Sequence, residues 1–304
     1  MGGEGEAAKT RSLDPPGDPA GRPGLVLVAT PIGNLGDISP RALAALKNAD
    51  AVLCEDSRVT GGLLARQGIA ATMIPLHEHN EAAQAPKLVE RMIAGEGFAL
   101  VSDAGTPLVS DPGFRLVRAA IAAGVTVSAV PGPNAAVTAL ALSGLPPHPF
   151  LFLGFLPAKA GPRSAEIARL RGIERAGLSA TLVFYEAPHR LGEALTAMAG
   201  GFGADRPAAV ARELTKRFEE VRRGTLGDLA AHYATAEARG EICVVVGPAP
   251  EEAAAGPEDL DAALRAALST GMSLRDAAAS VAEATGLKRR EVYARALQLF
   301  RDDG

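Results

Sequence analysis

The sequence predicts an α/β protein made of two α/β lobes followed by a small helical, helix-turn-helix-like appendage. Three observations predict it. Apolar, strand-like runs alternate with amphipathic segments from Leu25 onward. A proline cluster, Leu145-Pro146-Pro147-His148-Pro149, stops that alternation, and a second round follows it. Three helix-length stretches then close the chain after an Ala/Pro/Glu-rich segment.

In the first lobe, residues 24–145, the strands fall at 25–30, 51–54, 72–76, 98–101 and 125–130. Their short apolar runs suit a parallel sheet buried on both faces. After the first strand, Ser39 caps a helix, Pro40 takes its first position, and Leu43 and Leu46 supply the apolar face through Lys47. The second lobe, residues 146–248, is smaller, with room for antiparallel strands. Its strands fall at 150–153, 180–185, 208–211 and 242–246, with helices around 166–171, 189–198 and 226–238.

Residues 249–257 read as a linker and 258–304 as the helical domain, with helices at 260–268, 274–284 and 289–300 and a tight turn at Thr285-Gly286-Leu287. The last helix opens on Lys288, Arg289 and Arg290 and continues to Arg295. It is either the second helix of a helix-turn-helix with a basic, RNA-facing side or a helical cap with a solvated face. Residues 1–23 mix Gly, Pro and charge without a continuous apolar core, which predicts a disordered tail and excludes a secretory signal.

The 304 residues exceed the roughly 100–200 usual for one domain, which fits this partition. With 47% hydrophobic and 22% charged residues the chain can bury a core, and no apolar run approaches the ~20 residues of a membrane span. The expectation is a soluble, cytoplasmic protein with no membrane partner. Cys54 and Cys243 lie in apolar runs and read as reduced, buried thiols, so no disulfide and no metal site are expected. A formal net charge of −4 means that a nucleic-acid partner would be held by local basic patches.

The most informative stretch runs from Leu100 to Gly113, where a buried-strand pattern leads into Ser102, Asp103, Ala104, Gly105 and Thr106. Small residues at the carboxyl end of a strand bring backbone amides close to a ligand. Thr30-Pro31-Ile32-Gly33 and Pro131-Gly132-Pro133-Asn134-Ala135 repeat that arrangement, so three loops converge at one sheet edge. None holds Lys or Arg, and none reads G-x-G-x-x-G, which suits a nucleoside-like cofactor better than a dinucleotide or a polyphosphate.

Glu55-Asp56-Ser57-Arg58 follows the second strand, as an acidic helix start or as charged groups at a cleft mouth. His77 and His79, two apart, diverge on either a strand or a helix and read as surface or substrate-facing groups. In the second lobe, residues 184–190 and 212–220 place polar groups at strand ends, where Arg212, Lys216 and Arg217 could meet phosphates or form an ion-pair mesh with Glu213, Glu219 and Glu220.

Taken in order, residues 30–35, 55–58, 77–80, 102–113, 131–134, 152–157, 184–190, 212–220 and 240–242 resemble the ribosomal small-subunit methyltransferase I family. That family belongs to the tetrapyrrole-methylase-like class of S-adenosylmethionine enzymes. The resemblance runs from about Leu25 to Gly247, and the carboxy-terminal helices are similar to the family's helical appendage. Gly105-Thr106-Pro107 departs from the Gly-Asp-Pro turn of tetrapyrrole methylases, which favours the ribosomal branch; Ser57 and Ala187 are size-keeping departures from Thr and Ser.

The resemblance implies a cleft between two lobes holding S-adenosyl-L-methionine, a homodimer, and 2′-O-methylation of a cytidine in the decoding region of 16S rRNA, free or within the 30S ribosomal subunit. On this basis Pro31, Gly33, residues 102–106 and residues 131–135 hold the cofactor, with Phe155 and Ala187 closing from the second lobe and Asp103 reaching a cofactor hydroxyl or amine. Glu55, Asp56, Asp103 and Glu186 are the candidates for proton removal, since a buried carboxylate gains basicity. Arg58, Arg190, Lys216 and Arg217, with Lys288, Arg289 and Arg290, are the candidates for RNA phosphates. The competing readings are methylation of a tetrapyrrole precursor and an RNA-binding assembly factor without transfer.

Overall fold

A computed structural model describes residues 24–250, 257–285 and 287–302. The chain divides into two compact units, residues 1–247 and 248–304. The predicted tail, most of the predicted linker, and Gly286 of the predicted turn lie outside the described residues.

The first sheet takes β1 (Gly24–Val28), β2 (Ala51–Cys54), β3 (Met73–Pro75), β4 (Gly97–Leu100) and β5 (Val127–Val130) in the order β3-β2-β4-β1-β5. Every pair is parallel. Alternate residues of each strand fill separate cores. Leu25, Leu53, Phe98 and Leu100 meet α3 (Glu78–Ile93) and α4 (Phe114–Ala122) on one face. Val26, Val28, Val52 and Ala99 meet α1 (Pro40–Asn48) and α2 (Ser57–Arg66) on the other. Ser39 caps α1 by accepting from the Ala42 N–H at 3.1 Å, with Pro40 at its first position, as expected from the sequence.

The second sheet takes β6 (Phe150–Phe155), β7 (Thr181–Glu186), β8 (Pro207–Arg212), β9 (Glu220–Thr225) and β10 (Ile242–Val246) in the order β6-β7-β10-β8-β9. Only β6 and β7 run parallel. The central β10, Ile-Cys-Val-Val-Val, is buried throughout. One face packs on α6 (Ala160–Arg175), α7 (Leu191–Phe202) and α8 (Leu226–Tyr233). The other face packs on α5 (Ala135–Ser143), where Ala136, Ala139 and Leu140 meet Val183, Cys243 and Val245.

Helix α5, which begins at the end of the last strand of the first lobe, therefore supplies the apolar seam that fixes one lobe against the other. Arg223 on β9 reinforces the seam by donating to the carbonyls of Leu142 and Ser143 at the end of α5.

Sequence reasoning missed β9, where Arg222, Arg223 and Gly224 interrupt any apolar run. As an edge strand it needs only the β8 ladder and half a buried face. Helix α6 also extends further than its predicted core, and α8 ends sooner.

The second unit, described by itself, holds α9 (Pro257–Ser269), α10 (Leu274–Thr285) and α11 (Arg289–Asp302) around Leu264, Ala278, Val281, Val292 and Ala296. Arg295 pairs with Asp261 at 2.6 Å. Lys288, Arg289 and Arg290 are exposed, and Lys288 lies 3.8 Å from Glu291.

Candidate active site

Parallel register sets the carboxyl ends of β2, β4, β1 and β5 side by side. The chain leaves β1 toward β2 and leaves β4 in the opposite direction toward β5, so the adjacent loops part and open a crevice at a topological switch point.

Polar contacts lace those loops together. The Thr30 N–H donates to the Gly105 carbonyl (2.9 Å) and the Gly105 N–H to the Thr30 carbonyl (3.1 Å). The Asp56 N–H donates to Asp103 Oδ1 (3.2 Å), and Thr106 Oγ1 to the Pro133 carbonyl (3.1 Å). Gly105 sits at φ +82° with Ile32 3.2 Å from where a Cβ would stand, so a larger residue would be both strained and crowded.

Between the lobes lies a cavity of about 370 Å³, within the size range of small-molecule sites. Ile32, Phe155, Tyr185, Leu214, Ile242 and Cys243 make its apolar wall, while Asp103, Asp111, Glu186 and Glu241 line it with carboxylates. Among the described residues no Lys or Arg lines it. Such a lining attracts a compact cation with apolar surface and repels phosphate. A second hollow of about 350 Å³ shares Asp103 and is lined by Pro31, Gly33, Arg58 and Arg66.

The carboxylates differ sharply. Burial, with the charges of Glu55 and Asp103 beside it, pushes Asp111 up to about 6, against a smaller opposing effect of its hydrogen bond with Ser102. Leu108 (φ 72°) and Ser110 (φ 71°), both in the left-handed region, shape the loop that turns Asp111 into the cavity. Burial and Asp103 also raise Glu55.

Asp56 is the opposite case. Its hydrogen bonds from the Arg58 guanidinium and N–H hold it at about 2, and it caps α2.

Glu186 has a side chain only 1% exposed. Its Oε1 accepts from the Ala187 N–H (2.8 Å) and from Arg190 Nε (2.9 Å) and Nη2 (2.5 Å). Its Oε2 is buried without a partner, the open valence that a ligand donor would satisfy. Burial pushes Tyr185 and Cys243 up to about 12, so both are neutral walls.

Of the expected cofactor contacts, Asp103, Ala104, Gly105, Thr106, Ala135, Phe155 and Ala187 line the cavity. Pro31 and Gly33 line the adjoining hollow, and Gly33 admits the Lys216 chain where any Cβ would collide with Lys216 Cγ. Ser102 stands behind the wall, bonded to the carbonyls of Ala104 and Gly105.

Pro131, Gly132, Pro133 and Asn134 also lie outside the cavity lining. Gly132 is pressed onto Ala29, and Asn134 caps α5 through the Val137 N–H (3.1 Å). Glu55 is exposed and acts on the cavity only through its charge.

The expected phosphate ligands are partly committed elsewhere. Arg190 is bound to Glu186, and Lys216 Nζ lies 2.8 Å from Glu213 and 3.1 Å from Glu241. Burial acts against the Lys216 ammonium, but those carboxylates outweigh it and raise its pKa. Arg58 pairs with Asp56 yet leaves its side chain 89% exposed. Asp111, Tyr185 and Glu241 were not among the expected site residues, although Asp111 stands inside the most informative motif.

The fold and crevice are those of the tetrapyrrole methylase class. The family Tetrapyrrole (Corrin/Porphyrin) Methylases matches residues 24–230, and the RsmI C-terminal HTH domain matches residues 254–300. Among solved structures, diphthine synthase aligns with a TM-score of 0.56 at 18% identity, covering 73% of this chain and 89% of that one. Uroporphyrin-III C-methyltransferase from Thermus thermophilus, complexed with S-adenyl homocysteine, aligns with a TM-score of 0.51 at 20% identity, covering 73% and 96%.

At the level of sequence, the ribosomal RNA small subunit methyltransferase I of Mesorhizobium japonicum is 50% identical over 278 residues, 91% of this chain and 92% of its own. That of Pseudomonas aeruginosa is 46% identical over 279 residues, 90% and 96% of the two chains. The chain belongs to the ribosomal RNA small subunit methyltransferase I family.

Proposed function

We propose that this protein transfers a methyl group from S-adenosylmethionine to the ribose 2′-hydroxyl of a cytidine in the decoding region of small-subunit rRNA. The observation that carries the reading is the cavity between the lobes, lined by four carboxylates and no Lys or Arg, beside a hollow lined by Arg58 and Arg66. The carboxylates suit a cofactor bearing sulfonium and ammonium charges, and the arginines suit a phosphodiester. The unpartnered Glu186 Oε2 and the tight backbone at Gly105 fit a nucleoside-sized ligand.

Bound there, the cofactor supplies an electrophilic methyl group on a positively charged sulfur. The remaining work is done by the chain itself. Residues 103–106 and Ala135, with Phe155 and Ala187 opposite, would align the donor. Such alignment contributes about 7–11 kcal/mol when reacting atoms are well placed. Glu186, held by Arg190, would accept a hydrogen bond at Oε2.

Asp111 would take the role of base: it would accept the proton that the ribose hydroxyl loses as the C–O bond forms and the methyl–sulfur bond breaks, the electron pair of that bond remaining on sulfur. A carboxyl near 6 is ionised at neutral pH and more basic than a free aspartate.

The test is incubation with methyl-labelled S-adenosylmethionine and 30S subunits or 16S rRNA lacking the modification, followed by mapping. Label on a decoding-region cytidine ribose supports the reading. Label on neither RNA, with cofactor binding intact, sinks it and directs attention to tetrapyrrole substrates.

A further inference from the structure

The loop joining β8 to β9, residues 213–219, carries Phe218, whose 65% exposure is the highest of any large apolar side chain among the described residues. That exposure is not the result of a loose loop. Glu213 (φ 51°) and Thr215 (φ 64°) hold left-handed conformations without being glycines. The Glu213 N–H donates to the Glu241 carbonyl (3.0 Å), and the Thr215 N–H to Glu219 Oε2 (2.7 Å). Lys216 crosses to the opposite lobe and lies on Gly33.

The loop is thus pinned at both sides of the cleft. Its inner residue Leu214 lines the cavity, and its outer residue Phe218 faces solvent. Beside that ring, 5.6 Å from its centroid, stands the Arg217 guanidinium, which forms no ion pair among the described residues. The loop's own acids are used internally, Glu213 by Lys216 and Glu219 by Thr215.

A rigidly presented aromatic ring with an uncommitted guanidinium at its face is the chemistry that recognises an unpaired nucleobase and its phosphate. We propose that Phe218, backed by Arg217, is a stacking platform for an unpaired base next to the methylated nucleotide. This rests on the RNA reading above. Because Phe218 does not line the cavity, the stacked base is a neighbour and the target nucleotide itself enters beyond Leu214. Stacking at this point splays the strand and turns one ribose toward Asp111.

The chain contains no tryptophan, so Phe218→Trp introduces a single fluorescent reporter at the platform. Binding is measured with 30S subunits and a decoding-region RNA fragment for wild type, Phe218→Ala, Phe218→Trp and Arg217→Ala across a salt series. Phe218→Ala is expected to weaken RNA binding and raise KM about 5- to 150-fold, the range for losing one stacked base. The salt slope and cofactor affinity stay unchanged. Arg217→Ala lowers the slope by about 0.7–0.9. Phe218→Trp keeps wild-type affinity, and its emission is quenched when RNA binds.

Wild-type affinity in Phe218→Ala, or an unquenched tryptophan in an RNA-bound complex, overturns the platform while leaving the methyltransferase reading intact. A change in sedimentation of Phe218→Ala with RNA affinity unchanged assigns the ring to a contact between copies of the chain and overturns it too. Failure of the wild type to bind or methylate either RNA removes both readings together.

Discussion

Asp56 apart, which Arg58 holds at about 2, the two walls of the cleft treat their acids in opposite ways. On the first lobe, Glu55, Asp103 and Asp111 come from two loops, and burial first, with their mutual charge second, raises Asp111 to about 6 and raises Glu55 as well. On the second lobe the acids near the cleft meet cations: Glu186 meets Arg190, Glu213 meets Lys216, and Glu220 meets Arg212. Glu213 and Glu220 are lowered, chiefly by those hydrogen bonds. One wall carries a carboxyl that titrates near neutral pH and the other holds fixed charge, a division that the proposed methyl transfer to a hydroxyl would use.

The largest break in that division is Asp111→Asn. Removing a general base lowers kcat by about 10²–10⁴-fold, and the wild-type rate should rise through about pH 6 while the variant's does not. Stability moves the other way. A folded-state pKa above the unfolded value of about 3.9 means that wild type loses stability as pH climbs from about 4 to 6. The variant escapes that loss, so urea unfolding should find it more stable than wild type at pH 8 and equal to it below pH ~4. An active, pH-responsive Asp111→Asn would transfer the proton to another group.

Next in size is Arg190→Ala on the opposite wall, which strands the buried Glu186 carboxylate. Losing one partner of a buried pair costs about 3–5 kcal/mol. Adding Glu186→Gln should return part of that stability without restoring turnover. Full activity in the double variant would remove Glu186 from the site.

The contrast explains what could be read from the chain beforehand. The strands of both sheets are legible where burial on two faces demands continuous apolar runs, as in Ala51–Cys54 and Ile242–Val246. Edge strand β9 was not, because its arginines interrupt any apolar run and its register comes from β8. Site loops were legible from Gly105 and its small neighbours. Asp111 was hidden inside Asp-Pro-Gly, a turn-like string, since the charges that perturb it arrive from other loops. Arg190 looked like a phosphate ligand because four residues of sequence do not reveal that it turns back on Glu186. Likewise Asn134 carries the residue type of a ligand donor but caps α5.

A smaller, sharper probe is Glu55→Gln. It removes one like charge from beside Asp111, so the acid limb of the pH–rate profile should shift downward by less than about one unit with kcat on the plateau preserved. An unshifted limb would leave burial and the Asp103 charge as the causes.

Smallest is Arg212→Gln, on a pair with a quarter to a third of each side chain exposed, which is expected to cost about 0.2–1 kcal/mol at neutral pH. Here the sign reverses from that of Asp111. Arg212 lowers Glu220 below its ordinary 4.5, so the pair's contribution is present above that value and fades as pH falls through the depressed one. Difference curves of unfolding free energy should therefore separate wild type from Asp111→Asn toward alkaline pH, and from Arg212→Gln everywhere except in acid. If both differences followed the same course with pH, the two walls would share one electrostatic environment and the division of roles between them would fail.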